Sequence, residues 1–446
     1  MTFFSIVQIV LFLVISGLSF FLAFRKFKEI YDNIRKGKEE HIHTSFATRM
    51  KNMLLIAVGQ KKMFKLTFAA MLHIVIYVSF VITQIELIEI FIDGVTGHHR
   101  IIFHAIENIP VLVFAYRFIV GFIEVISLLT LFVTIIFILR RTVFLIPRFN
   151  KPEMKGWPMR DALQILAFEI ILITCIFTMN SADRALQLQG HGHYINTHGF
   201  ILSNGIGHAI SNLPQGLLII LERLGWWGHL SMVYGFLLYL PYSKHLHILF
   251  AFPNTFFTRP EPKGEMQNMP AIQHEVKSML DPSYQVPATD GEVKFGAKDV
   301  YDLSWKSLLD AYTCTECGRC TAACPANLTG KKLSPRKIMM DTRDRMEDIT
   351  RNKKAHGPDY TDNKSLLGDY ITKEELRACT TCNACVEECP VNISPLHIIL
   401  ELRRNMIMEE ADSPAEWNTI FANLENNQAP WQFSPDDRLK WTEELN

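Results

Sequence analysis

The 446-residue chain has no adjacent cysteine pair, no G-x-G-x-x-G run and no G-x-x-x-x-G-K-[ST] loop. The missing glycine fingerprints remove the sequence basis for a dinucleotide fold or a phosphate-cradling loop. No catalytic-triad signature is present either. Charge of one sign is also lacking: 45 Lys and Arg balance 45 Asp and Glu, so no basic excess marks the chain for nucleic acid. No repeat of 20–50 residues runs through it. The apolar opening, MTFFSIVQIVLFLVISGLSFFLAF, has no basic leader and no clear small-residue cleavage site. It reads as an uncleaved span rather than a signal peptide.

What is present is unevenly spread. The first 250 residues hold nearly all the long apolar runs, and the rest is polar and punctuated by proline. Five spans of about twenty or more mostly apolar residues are expected at 3–24, 66–92, 112–139, 161–182 and 226–250. Loop 25–65 carries 11 Lys or Arg and loop 140–160 carries 6, whereas the other two loops hold only Arg100, Arg184 and Arg223. The positive-inside rule then places the N-terminus outside and everything after about 251 in the cytoplasm of a multi-pass inner-membrane protein. The expected organisation is a membrane domain at 1–250, a linker at 251–300, a cysteine domain at 301–405 and a C-terminal partner-contact tail at 406–446. Ser334 followed by Pro335 reads as an N-cap and first helical turn between the cysteine clusters.

Of nine cysteines, Cys175 stands alone in an apolar segment and reads as a small core residue. The others form two runs of identical spacing: Cys314, Cys317, Cys320 and Cys324 before Pro325, and Cys379, Cys382, Cys385 and Cys389 before Pro390. Cytoplasmic placement argues against disulfides. Structural zinc prefers two C-x2-C pairs separated by a longer loop. The run C-x2-C-x2-C-x3-C-P is the signature of two-cluster bacterial ferredoxins, in which the fourth cysteine ligates the other cluster. The expected sets for two [4Fe–4S] clusters are Cys314, Cys317, Cys320 with Cys389, and Cys379, Cys382, Cys385 with Cys324.

The fifth span, WWGHLSMVYGFLLYLPYSKHLHILF, carries His229 and His247. On a continuous helix they would share a face about 27 Å apart, one near each membrane surface. They cannot share an iron, but each can serve its own haem b. His73 in the second span is the expected partner of His247 at an inner haem. His245 is expected on a nearly opposite face, at the interface. Arg117 and Glu124 lie on one face of the third span. Either Arg117 pairs with a nearby glutamate, or it holds a haem propionate while a glutamate serves a proton path to quinone. Lys244 is placed to snorkel or to neutralise a propionate.

Two resemblances follow from these residues. The wide gap from Cys324 to Cys379 resembles the α-helical ferredoxin fold of succinate dehydrogenase iron–sulfur subunits and of the heterodisulfide reductase C subunit, over about 300–405. The span histidines resemble those of the nitrate reductase gamma subunit and the cytochrome b subunit of membrane heterodisulfide reductase, five-span proteins with two haems. That pattern has a further histidine in span two, where this chain has Thr83. A second ligand for the outer haem is therefore sought in the loops: His104 first, then His98 or His99, with one inner haem as the alternative. Relatives of this type continue into cysteine-rich domains that this chain lacks. The resemblance thus implies a partner subunit with such domains, or an electron-transfer flavoprotein. Trp431 and Trp441 suit that contact, or else pack back on the ferredoxin domain. The expected fold is all-α: a five-helix cytochrome b bundle plus a cytoplasmic α-helical ferredoxin domain. The expected function is electron relay between a soluble partner and quinone in the lipid bilayer, in the direction of quinone reduction. The alternative is a membrane-anchored redox sensor or assembly anchor.

Overall fold

The computed structural model describes residues 3–144, 146–262, 264–287, 294–432, 434–437 and 439–443. No strand occurs among them, and two isolated bridges, Lys38 with Ser304 and Leu367 with Ile371, are the extended pairings. Five helices build the apolar half: α1 (Phe3–Arg35), α2 (Thr67–Thr96), α3 (Pro110–Thr142), α4 (Trp157–Leu188) and α5 (Gln215–Tyr239). Proline opens α3 and α4, where its missing N–H costs no helical bond. Four helical segments, those containing α1 to α4, are long and apolar enough to cross a membrane.

The bundle closes by backbone approach at small residues, as expected where lipid gives no hydrophobic drive to helix association. A Cβ on Gly225 of α5 would lie 2.5 Å from the Met179 nitrogen of α4, and one on Gly228 would lie 2.8 Å from Cys175 Sγ. At the other end of the same pair, Tyr239 donates to Asp161 at 2.7 Å. So α5 runs antiparallel along α4 from one end of the bundle to the other. Gly94 of α2 leaves room in the same way for the fully buried Phe12 ring of α1.

The expected fifth span is not one helix. α5 stops at Tyr239, two 3₁₀ turns follow (Leu240–Tyr242 and Lys244–Leu246), and α6 (His247–Phe256) starts afresh. Pro241 removes a backbone donor, Ser243 is extended, and its hydroxyl accepts from the His245 nitrogen to begin the next turn. The helical spacing of His229 and His247 therefore does not hold. His245 does not face lipid headgroups: its ring lies 5.7 Å from that of His247, and its Nδ1 is buried.

The remaining helices that position the cysteines are α7 (Trp305–Thr313), α8 (Pro335–His356) and α9 (Pro395–Arg404). Ser334 caps α8 through the Lys337 nitrogen, with Pro335 at its first turn, as the sequence predicts. One apolar core joins this domain to the bundle. Ile30 and Ile34 of α1, Leu240 and Leu246 share it with Leu308, Tyr312 and Ile338. Residues at the start of the expected linker belong to that seam. Asn254 donates to the Val391 carbonyl, and Arg259 holds Glu40 at 2.6 Å and Asp310 at 3.1 Å. Residues 288–293 of that linker lie outside the described residues. In the tail, α10 (Ala415–Asn427) leaves Trp417 and Phe421 exposed, and Trp431 and Trp441 are exposed beyond it.

Candidate iron–sulfur centre and membrane histidines

α7 ends at Cys314, and the two cysteine loops then fold alike. Glu316 and Gly318 in the first have positive φ, as do Thr381 and Asn383 at the matching places in the second. Left-handed residues at these two positions curl each loop tightly enough to turn successive sulfurs inward. Glycine does this without penalty, and asparagine tolerates it. The first loop bounds a cavity whose wall contains Cys314, Cys317, Cys320 and Cys389, together with Arg319 and Arg336. In the second region, Cys324 lies within charge range of Cys379 and Cys385, and so does Cys382. The structure thus brings the fourth cysteine of each run to the other run's loop.

Backbone donors already face these sulfurs: Thr381 N–H points at Cys379 Sγ (3.4 Å) and Ile393 N–H at Cys389 Sγ (3.2 Å). Burial pushes the Cys314 and Cys385 thiols up to about 12 and the Cys389 thiol up to about 11. Thiolates in such a place need strong local positive charge, which iron supplies. No group of three or more His, Cys, Asp or Glu among the described residues is arranged to hold a single metal ion. A zinc knot needs all its donors within one tetrahedron, whereas a cubane offers each sulfur its own iron corner. All-thiol donor sets and backbone N–H donors at the sulfurs fit an iron–sulfur cluster at each loop.

The first cysteine loop sits on the bundle. Lys62 donates to the Cys389 carbonyl at 3.2 Å, and two residues earlier Gln60 Oε1 meets His73 Nδ1 at 3.0 Å. Lys244 Nζ donates to Glu316 at 3.0 Å, while its own carbonyl meets His247 Nδ1 at 2.9 Å. Glu316 also pairs with Arg343 at 3.0 Å. Burial alone would raise the Glu316 carboxyl, but Arg343 and Lys244 outweigh it and hold it below its ordinary value. His73 and His247 lie within charge range of one another. His229 is buried in α5 with Nδ1 3.3 Å from the Leu172 carbonyl. All three rings therefore commit Nδ1 to an oxygen and keep Nε2 for another partner. Metal-ligating histidines carry this pattern, because the outer hydrogen bond fixes the ring.

The other expected site residues fall elsewhere. His104 is 63% exposed and pairs with Glu107 at 3.2 Å, with no contact to His229 among the described residues. Arg117 does not pair with Glu124. Its Nε donates to the Thr197 carbonyl at 2.7 Å, and Glu124 accepts from the backbone nitrogens of Ile201, Leu202 and Ser203. At the bundle end away from the cysteines, the buried Arg100 instead joins Glu89, Asp183 and Asn180, and His99 leans on Asp183. The residues not foreseen in the sequence are Gln60, Lys62, Glu316, Arg319, Arg336 and Arg343. Arg319 lies inside the first cysteine run, so its place at the site was readable. The others depend on tertiary contacts.

Residues 313–393 match the family described as a 4Fe-4S dicluster domain. Among curated proteins, the chain is 25% identical to the "Probable iron-sulfur-binding oxidoreductase FadF" of Bacillus subtilis over 99% of its own length and 61% of that protein's. It is 27% identical to the EtfAB:quinone oxidoreductase of Syntrophomonas wolfei over 66% of its length and 42% of that protein's. It is 33% identical to a "Probable membrane-anchored ferredoxin" of Chromohalobacter salexigens over 35% of its length and 25% of that protein's. The chain thus spans less than two thirds of each of these relatives. No solved structure matches it. The chain is similar to an iron–sulfur-binding oxidoreductase, a quinone oxidoreductase and a membrane-anchored ferredoxin, and it carries a 4Fe-4S dicluster domain.

Proposed function

We propose that the protein relays electrons between a soluble redox partner and quinone in the membrane. Cys314, Cys317, Cys320 and Cys389 would hold one [4Fe–4S] cluster, and Cys324, Cys379, Cys382 and Cys385 the second. His73 and His247 would hold a haem b at the bundle end beneath them, and His229 is the candidate ligand for another. These groups supply one-electron carriers, while the chain supplies spacing, ligands and a dry surround. One observation carries the reading. Each of the two inner histidines is tied to the first cysteine region through a short bridge, Gln60–Lys62 in one case and Lys244 in the other. An anchor without electron transfer has no need of such continuity.

The basic loops 25–65 and 140–160 both touch the cysteine domain, through Lys26 to Glu347 and Lys151 to Asn327, which supports one side for all three. By the positive-inside rule that side is the cytoplasm, with α5 as the fifth crossing. Exposed Cys382 makes the second set the port for the soluble partner. The relative named EtfAB:quinone oxidoreductase supports those two termini, and quinone reduction is the direction proposed.

Reduced-minus-oxidised spectra, with iron, haem and acid-labile sulfide per chain, test the reading. The expected result is a b-type band and iron and sulfide for two clusters. Clusters without any b-type band would favour the redox sensor or assembly anchor.

A further inference from the structure

Arg319 and Arg336 line the cavity of the first cysteine set and are 5% and 0% exposed. Their terminal nitrogens are spent on neighbours. Arg319 donates to the Lys62 carbonyl at 3.2 Å and to Glu388 at 3.3 Å. Arg336 donates to the Arg148 carbonyl at 2.8 Å and to Glu153 at 2.7 Å. In both side chains Nε is buried with no hydrogen-bond partner. An unpaired N–H of a buried guanidinium costs a few kcal/mol, so two in one cavity wall call for an acceptor in that cavity. Gly318, between Cys317 and Arg319, brings the second guanidinium close: a Cβ there would collide with Arg336 Nη1.

The second set is built differently. Arg403 is the cation beside Cys379, and its Nε and Nη2 are used on the Leu376 and Cys379 carbonyls. Arg377 also has an unpartnered Nε, but its side chain is 31% exposed and matched by Asp412 at 2.8 Å.

We propose that Arg319 and Arg336 donate their Nε–H groups to the cluster held by Cys314, Cys317, Cys320 and Cys389, and so raise its reduction potential. The inference rests on the ligand sets proposed above. Burial disfavours the extra negative charge of the reduced form, and charge-assisted hydrogen bonds favour it. One electron enters on reduction and no proton moves, because a guanidinium stays charged throughout. The two arginines act on the cluster directly, and their effect is confined to one of the two clusters.

The test is an EPR-monitored redox titration of the purified full-length protein with dithionite and mediators. Cys382→Ser identifies the signal of the second set. Arg319→Gln and Arg336→Gln should each move the midpoint of the first signal downward by at least a tenfold change in its one-electron equilibrium, about 59 mV, and leave the second in place. Arg319→Lys, which keeps the charge but loses the planar Nε–H, should fall between. The wild-type midpoint should not depend on pH between 6 and 9. If Arg336→Gln does not fold, Arg319→Gln alone decides. An unmoved first signal, or equal movement of both signals, overturns the inference. Absence of iron and sulfide from the wild-type protein would instead overturn the cluster reading on which it rests.

Discussion

Glu316→Gln should loosen the seam between the cysteine domain and the bundle. The carboxylate is 3% exposed and accepts from Lys244 Nζ at 3.0 Å and Arg343 Nη2 at 3.0 Å. Gln is isosteric but neutral, so the substitution leaves two buried cations facing a group that also presents N–H donors. Removing one partner of a buried ion pair costs about 3–5 kcal/mol, and because Lys244 keeps the Pro158 carbonyl and Asp161 and Arg343 keeps Asp344, this site falls toward the lower part of that range. The folded carboxyl sits below its ordinary value, so its contribution is full above the unfolded carboxylate pKa. It is lost as pH falls through the depressed folded value. The gap between wild type and variant is therefore full at neutral pH and closes only as the pH falls through the depressed folded value, below the ordinary carboxylate range. Hydrogen exchange of the Cys314–Cys320 loop in detergent, read against pH, measures this directly. The double variant with Lys244→Met should recover part of the loss, with a coupling of about 0.5–3 kcal/mol. Wild-type protection of the loop in Glu316→Gln at pH 7 would refute the reasoning.

Three further outcomes follow from single contacts. On the proposed haem ligation, His247→Ala should remove the inner b-type band while leaving iron and sulfide intact, whereas His104→Ala should leave the spectrum unchanged, because His104 is exposed and bonded to Glu107. Arg117→Gln should also leave haem content unchanged, since its Nε serves the Thr197 carbonyl; it should cost about 1–2 kcal/mol of stability through that lost half-buried hydrogen bond, seen as a lower thermal midpoint. Gly225→Ala should cost about 1–3 kcal/mol or more, because the added methyl meets the α4 backbone at 2.5 Å and backbone cannot yield as a side chain does. Fluorescence-detected size exclusion after stepwise heating would show it as a lower aggregation temperature than that of Gly235→Ala, where the same methyl meets nothing within 4 Å.

The parts legible in the sequence are those set by local chemistry. Apolar length gives the starts of α1 to α4 to within a few residues, and Ser334–Pro335 gives the start of α8. Cysteine spacing marks the two matching loops, because three cysteines two residues apart on a tight turn are a short-range object. The fifth span was misjudged because hydropathy reads through Pro241 and Ser243 without sensing the lost donor and the extended residue. Arg117 and Glu124 share a helix face, but helical periodicity cannot show that the Thr197–Ser203 segment folds in to take the donor of one and fill the acceptor of the other. The extension of α1 past residue 24 was missed for a similar reason. Its last turns are polar, and they are held by Asn33 to Tyr312 and Thr350 in a domain far along the chain.

The basic loops explain why the two halves form one unit. Lys and Arg near the ends of spans fix orientation, and that role alone would leave them solvated. Here the same residues are used again. Lys26 pairs with Glu347, Lys65 with Glu387 and Glu388, Lys62 with the Cys389 carbonyl, and the Arg148 carbonyl receives Arg336. Exposed pairs such as Lys65 with Glu387 add little stability each, but the buried ones sit over an apolar core shared by both halves. Lifting the cysteine domain away would expose that core, break the Lys244–Glu316 pair and take from Arg336 both the Arg148 carbonyl and Glu153. Rigid docking is therefore the low-energy state. It fixes the first cysteine loop against His73 and His247, so in the proposed relay the spacing between carriers is set by the fold rather than by chance encounter.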